Sequence, residues 1–212
     1  MSKTWDFDDY PWVDEYDQRQ RGRARLCYEE TLRRLPDCVG VTGEELVLDI
    51  GTGTGNSAVP FLERGCRVVG VDPSERMLKQ ARAKAEQWEG QFSVQRVEEP
   101  FLCLPFDAGT FDVVVSAYAI HHLDDEAKRQ AIAEMKRALR PGGRIIIADT
   151  IFRDEEHKAQ ALRDYADMED EYQPLVTTFP GMFEAEGFGV EMERVGELVW
   201  IVVARQQARS ED

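Results

Sequence analysis

Three glycines at alternating positions constrain the fold of this chain more than any other feature. Gly51, Gly53 and Gly55 directly follow an apolar run, residues 47–50, and precede an amphipathic segment, residues 57–64. This pattern predicts a buried strand, a tight turn and a helix that begins beside the turn. Glycine tolerates positive φ angles and lets a ligand lie against the backbone, where the free N–H groups of a helix start face it.

The glycine pattern is compatible with three interpretations. The glycines could only make a tight turn, or they could form a dinucleotide fingerprint with Asn56 in place of its third glycine, or with Ala58 there in the next register. Asp49 favours a third interpretation, because an acid at the end of a buried strand needs a hydrogen-bond partner or a cation. Asp49 followed by Gly-x-Gly-x-Gly resembles motif I of the class I S-adenosylmethionine (SAM)-dependent methyltransferases.

The charge of the chain bears on its partners. A net charge of −15 and an isoelectric point near 4.7 disfavour nucleic acids and anionic membranes, so a small-molecule acceptor is expected. The equal alternative is that the charge only keeps the protein soluble. Four cysteines without a CxxC pair and only three histidines predict no metal site. Neither a signal peptide nor a membrane-spanning run is recognisable, which makes a cytoplasmic location the expectation.

A second apolar strand over residues 66–71 ends in another acid, Asp72. Within one βαβ unit this places its carboxylate beside the glycines, where it suits the two hydroxyls of a ribose in either a methyltransferase or an NAD enzyme. The resemblance to the methyltransferases further implies that Pro73 and Met77 contact the adenine. Packing in the core of the helix that follows is an equal alternative for Met77.

The third strand, predicted over residues 92–97, is followed by Glu98 and Glu99. Methyltransferases usually carry Gly-Asp-Ala at this point, and the Asp accepts a hydrogen bond from the adenine amino group. The resemblance assigns that role to Glu98, although its side chain is longer and Glu99 is an acidic neighbour.

Residues 104–116 lead through a glycine-containing turn into a β-branched strand that ends at Ser116, typical of a central parallel strand. Their pattern resembles the fourth strand of the methyltransferases, which implies that Ser116 borders the cofactor. His121 and His122 follow where acceptor-side residues normally lie. One of them has the position of a general base, since a histidine titrates near neutral pH. The alternative is that both only fix the loop or cap the helix that begins near Asp124.

Residues 1–40 are predicted to form an N-terminal helical cap, with a helix over residues 21–35 that Pro36 ends. Small class I methyltransferases often carry a Tyr-Asp pair on such a helix over the cofactor, and the pair here makes Tyr16 a candidate contact, with ordinary aromatic packing as the alternative. Residues 41–212 would form one SAM-binding domain, with an acceptor-site insertion at about residues 153–186.

The predicted fold is a Rossmann-like, seven-stranded, mostly parallel sheet with helices on both faces. Residues 187–195 and 198–205 are expected to close it as an antiparallel hairpin. The resemblance implies a methyltransferase that uses SAM and releases S-adenosylhomocysteine. Asp49 would bond within the loop or to the amino-acid end of SAM. An NAD-dependent oxidoreductase and a non-catalytic SAM-binding protein are the alternatives.

Overall fold

The sheet extends to both sides of the strand that precedes the three glycines. The computed structural model describes residue 8, residues 12–165, residue 168 and residues 171–207. Seven strands run in the order β3-β2-β1-β4-β5-β7-β6 in this part of the chain, which confirms the predicted sheet. The strands are β1 (Leu46–Ile50), β2 (Arg67–Asp72), β3 (Phe92–Arg96), β4 (Phe111–Ala117), β5 (Leu139–Thr150), β6 (Phe188–Arg194) and β7 (Val199–Gln206).

β1 to β5 are parallel, and β7 is antiparallel to both of its neighbours, β5 and β6. The centre of the sheet is apolar on both faces: Val47, Val113 and Val115 contact one layer, and Leu48 and Val114 contact the other. Strands covered on both sides have this near-continuous apolar sequence. The carboxyl ends of β1, β2 and β4 therefore meet at one edge, where the glycines lie.

Helices cover both faces of the sheet, as the sequence predicts. α2, α3 and the end of α4 contribute to the core on one face, and α5 and α7 contribute to the core on the other. The helices are α1 (Tyr16–Gly22), α2 (Tyr28–Val39), α3 (Val59–Leu62), α4 (Glu75–Ala85), α5 (Asp125–Ala138), α6 (Glu155–Asp164) and α7 (Phe179–Glu184).

Two helix predictions need correction. The single helix expected over residues 21–35 is interrupted at Cys27, which has a φ of 46°, and α2 continues through Pro36 until Gly40 ends it in the left-handed conformation. The helix expected over residues 57–64 shortens to α3. Ser57 stays in the preceding turn, where its hydroxyl donates to Asp49.

Part of the predicted cap and of the predicted insertion lies outside the described residues, including Glu169 and Asp170. The proposed boundaries of these regions stay predictions. No helix among the described residues has the length and apolar character that a bilayer span requires.

Candidate active site

The glycine turn joins β1 to α3 with positive φ angles at all three glycines, 72° at Gly51, 53° at Gly53 and 84° at Gly55. A Cβ at Gly51 would lie 2.7 Å from that of Ala119, and a Cβ at Gly55 would lie 3.2 Å from the ring of Phe92. Gly53 differs, because its Cβ would meet open space with no atom closer than 4.0 Å. The outer two glycines permit close packing, and Gly53 leaves the backbone free on the side where a ligand can lie.

Asp49 is fully buried directly before this turn. Its Oδ2 accepts hydrogen bonds of 2.7 Å from the hydroxyls of Thr52 and Ser57. Its Oδ1 has no hydrogen-bond partner among the described residues. Burial raises the pKa of Asp49 to about 6, against the effect of the two hydroxyls. The carboxylate thus organises the turn with one oxygen and keeps the other for a further donor.

Asp72 ends β2 and lies beside the same turn. Its carboxylate accepts bonds of 2.9 Å from the N–H groups of Gly53 and Ser74. Burial raises its pKa to about 6, and the charge of Asp49 acts in the same direction. Each oxygen keeps a second lone pair, so the carboxylate can accept two more hydrogen bonds, as a pair of neighbouring hydroxyls would require.

The other predicted cofactor contacts lie in different environments. The Pro73 carbonyl accepts a bond from Arg96, and Met77 is buried in the first turn of α4, where its N–H donates to Ser74. Glu98 is exposed and forms an ion pair of 2.9 Å with Arg96.

Ser116 is fully buried on β4, and its hydroxyl has no partner among the described residues. As with the other predicted contacts, its role toward a cofactor stays a prediction.

The N-terminal segment is tied across this edge of the sheet by two aspartates. Asp17 accepts bonds from the Thr54 hydroxyl, the Asn56 amide and the Lys84 ammonium at 2.6 to 2.8 Å. Asp8 accepts bonds from the hydroxyl of Ser74 and from a backbone N–H of α4. Asp17 therefore contacts the glycine turn and α4, and Asp8 contacts the start of α4 just after β2.

Tyr16 begins α1 within this N-terminal segment. Its ring stacks on Trp12 with 6.2 Å between the centroids, and burial raises its pKa to about 12. Its side chain is therefore a neutral hydrogen-bonding group near the turn at physiological pH.

A second polar cluster lies beyond β4, centred on the fully buried Asp149 of β5. One Asp149 oxygen accepts bonds from the N–H groups of Ile120 and His121 at 3.0 and 3.3 Å. The other lies 2.6 Å from Nδ1 of His121 and also accepts from the N–H of Thr150. Asp149 thus fixes the turn after β4 and the orientation of the His121 ring.

The two histidines differ in charge. The carboxylates of Asp149 and Glu171 outweigh burial and raise the pKa of His121 to about 9, so the ring is an imidazolium at neutral pH. Burial and the charge of His121 lower the pKa of His122 well below its usual value. His121 is therefore a hydrogen-bond donor at neutral pH, which favours a donor over the general base of the sequence prediction. Neither histidine caps α5; the cap is the side chain of Asp124.

Glu171 comes from the predicted insertion and lies over the same histidine. Its Oε1 is 3.7 Å from Nε2 of His121, and its Oε2 accepts a bond of 2.8 Å from the side-chain amide of Gln173. The next residue, Tyr172, is anchored twice: its N–H donates to the His121 carbonyl, and its own carbonyl accepts from the fully buried Lys128. These contacts hold the Glu171 carboxylate at the carboxyl end of β4.

Sequence comparison identifies the family. Residues 47–143 match the model of a methyltransferase domain. An uncharacterized methyltransferase of Geobacillus kaustophilus is 34% identical over 92% of this chain and 94% of its own length. The uncharacterized methyltransferase YrrT of Bacillus subtilis is 34% identical over 91% of this chain and 93% of its own. The chain belongs to the class I SAM-dependent methyltransferases.

The fold of this methyltransferase agrees with that assignment. A SAM-dependent methyltransferase from Aquifex aeolicus superposes with a TM-score of 0.69 at 23% identity, covering 91% of this chain and 96% of the other. The family and the fold imply that SAM is the methyl donor. The cluster at the glycine turn fits this cofactor on three counts: the free Oδ1 of Asp49, the open space at Gly53 and the unused lone pairs of Asp72.

Three functional candidates of this methyltransferase, Asp149, Asp17 and Glu171, are not among the residues that the sequence predicts. Asp149 carries the same signal that identified Asp49, an acid at the end of a buried strand. Asp17 belongs to the Tyr-Asp pair, in which only the tyrosine was predicted to bind. Glu171 lies in an acidic stretch whose members are indistinguishable by composition.

Proposed function

We propose that this methyltransferase transfers the methyl group of SAM to a small-molecule acceptor that enters beside His121 and Glu171. The observation that carries the proposal is that two residues of the N-terminal region, Asp8 and Asp17, bond to the start of α4 and to the glycine turn and so narrow the site from that side. A site narrowed in this way suits a small molecule better than the face of a macromolecule. The net charge of −15 also disfavours nucleic acid as the acceptor.

The residues of the glycine turn would hold the donor. SAM supplies a methyl group already activated by its attachment to a sulfonium. Asp49 Oδ1 would accept from the amino-acid end of the donor, Asp72 from its ribose hydroxyls, and Gly53 would let it lie on the backbone. Pro73, Met77 and Glu98 are the proposed neighbours of the adenine, with Ser116 and Tyr16 at the border of the site.

The remaining task of the protein is alignment. Methyl transfer requires the attacking atom, the carbon and the sulfur in line, and accurate placement accounts for much of the rate enhancement of such reactions. Ala119 connects the glycine turn to the turn that carries His121, because it packs against Gly51 and comes two residues before His121. The glycine turn and the His121 turn are therefore fixed relative to each other by direct contact.

Calorimetric titration with SAM, S-adenosylhomocysteine and NADH tests this proposal. We expect the wild-type protein to bind the first two and not NADH. Asp72→Asn should weaken SAM binding by about tenfold or more, since charge-assisted hydrogen bonds to the ribose are lost. Asp107→Asn, at an exposed position on the loop before β4, is the matched control and should leave the affinity unchanged. NADH binding, or an unaffected Asp72→Asn variant, would contradict the assignment of the site.

A further inference from the structure

The carboxylate of Glu171 and the ring of His121 are separated by a distance that one bound heteroatom can bridge. Their Oε1 and Nε2 atoms are 3.7 Å apart, too far for a direct hydrogen bond. A third atom placed about 2.8 Å from each closes a triangle with an angle of roughly 80° between the two contacts, so one heteroatom can bond to both. The side chains of His121 and Glu171 are 12% and 21% exposed, so both groups are partly open to solvent.

The neighbours of His121 and Glu171 decide which of the two side chains donates a hydrogen bond and which accepts one. A carboxylate oxygen lies near each ring nitrogen of His121, with Asp149 Oδ1 at 2.6 Å from Nδ1 and Glu171 Oε1 at 3.7 Å from Nε2. Two flanking carboxylates favour a ring that is protonated on both nitrogens, so Nε2 donates. Gln173 donates to Oε2 of Glu171, and Oε1 is the oxygen that lies near Nε2 of His121, so Oε1 is placed to accept. The bound atom must therefore accept one hydrogen bond and donate another.

We infer that the acceptor of this methyltransferase is a hydroxyl compound, and that the enzyme is an O-methyltransferase whose acceptor oxygen lies between His121 and Glu171. This inference rests on the proposed function. A hydroxyl oxygen can accept from His121, donate to Glu171 and still keep a lone pair for the methyl carbon. A neutral amine has a single lone pair, which the bond from His121 would occupy, so it could not attack.

The Glu171 carboxylate, as the base that takes the proton, limits how weakly acidic the acceptor hydroxyl can be. As the acceptor O–H bond breaks, its proton passes to Oε1 of Glu171. The oxygen lone pair forms the new C–O bond, and the electron pair of the C–S bond returns to sulfur, which becomes a neutral thioether. A carboxylate is a weak base, with a usual pKa near 4.3, so the hydroxyl must be a phenol or an enol with a pKa of about 10 or below. The N–H of His121 stabilises the negative charge that develops on the oxygen.

Glu171 and His121 are thus the catalytic residues of the inference, and Asp149 and Gln173 are positioning residues. The assignment also explains why the insertion is anchored to the turn after β4 through Tyr172 and Lys128. A displacement of the carboxylate by even about 1 Å would separate it from the acceptor oxygen and slow transfer strongly.

Nitrogen NMR of the full chain, labelled with 15N-histidine and saturated with S-adenosylhomocysteine, tests the inference. The probes are phenol and 4-nitrophenol, matched against aniline and 4-nitroaniline. We expect both phenols to shift the ring nitrogen signals of His121. With SAM in place of S-adenosylhomocysteine, we expect the phenols to be methylated at least about tenfold faster than the anilines, whose single lone pair is taken by the N–H of His121. Phenols that leave His121 unperturbed up to their solubility limit, or anilines that are methylated as fast as the phenols, would overturn it.

Two variants separate a role in acceptor binding from a structural role. Glu171→Gln should weaken phenol binding by about tenfold or more, because the charged acceptor is lost. Glu184→Gln, an exposed glutamate on α7, should not change it. S-adenosylhomocysteine affinity, measured on the same samples, should be equal in all three proteins. If the wild-type protein does not bind S-adenosylhomocysteine, the proposed function fails. If all three proteins bind S-adenosylhomocysteine and Glu171→Gln also binds phenols as tightly as the wild type, only the hydroxyl inference fails.

Discussion

The two halves of the proposed active site, a cofactor half at the glycine turn and an acceptor half at His121, are assembled in different ways. In the cofactor half, Asp49 and Asp72 belong to one βαβ unit, and their partners are hydroxyls and N–H groups of the turns that directly follow β1 and β2. In the acceptor half, His121, Asp149 and Glu171 come from three separate segments. The first half is encoded locally, and the second exists only when β4, β5 and the insertion are packed together.

Asp149 and Asp49 are both fully buried aspartates, but they differ in the number of hydrogen bonds that their carboxylates accept. Asp149 receives three backbone N–H groups and a charged ring, and it forms the anion of an ion pair. Asp49 is equally buried but receives only two hydroxyls, and its pKa is raised to about 6. A fully satisfied carboxylate stabilises the fold, whereas a partly satisfied one is held ready for a ligand.

Removing the carboxylate of the acceptor half should have the largest effect on stability. Asp149→Ala leaves three N–H groups and the His121 ring without their acceptor, so we expect the free energy of unfolding to fall by about 3 to 5 kcal/mol in urea denaturation. Asp107→Ala, at an exposed site, should change it by less than about 0.5 kcal/mol. If Asp149→Ala were as stable as the control, the contrast between the halves would be lost.

The pH dependence of stability should reveal the partly satisfied carboxylate of the cofactor half. The pKa of Asp49 is raised from its usual 3.8 to about 6 in the folded protein. The folded state therefore holds this proton more tightly, and the stability it contributes is present below about pH 4 and lost as the pH rises through about 6.

The variant Asp49→Asn lacks this titration. Without ligand, the wild type should lose up to about 3 kcal/mol of unfolding free energy relative to Asp49→Asn between about pH 4 and pH 7. Urea denaturation at a series of pH values measures this difference. A difference that stays constant, or that grows in favour of the wild type, would show that the carboxylate is ionised without cost.

Two glycines of the same turn should separate packing from ligand access. Alanine is strained at both Gly51 and Gly53 because both φ angles are positive, but only Gly51→Ala also meets a neighbour, at 2.7 Å. We expect Gly51→Ala to be less stable than Gly53→Ala by about 1 to 3 kcal/mol, the usual cost of overpacking.

SAM affinity should show the opposite order to stability. Gly53→Ala fills the open space at the turn. Although it is the more stable variant, it should bind SAM at least about tenfold more weakly than folded Gly51→Ala, as measured by calorimetry. Equal affinities of the two folded variants would mean that the donor does not lie against Gly53.

The features that the sequence predicts are the local ones, and the features that it does not predict depend on contacts made in the folded chain. The seven strands, their mostly parallel arrangement and the terminal hairpin were predictable, because apolar runs and turn residues report local structure. The course of α2 through Pro36 was not, since the conformations of Cys27 and Gly40 decide where that helix begins and ends. Likewise the sequence predicts Tyr16 as the contact, whereas its neighbour Asp17 makes three bonds to the glycine turn and α4.

The sequence by itself determined the strand–turn–helix unit that carries Asp49, the glycines and Asp72, because every partner in that unit lies within a few residues of a strand end. The tertiary structure alone decided that Asp149 charges His121 and that Glu171 faces the same ring. The physical reason is the range of the interactions. Turn geometry depends on neighbouring φ angles and local hydrogen bonds, whereas an ion pair between distant segments depends on how the whole sheet and its insertion pack.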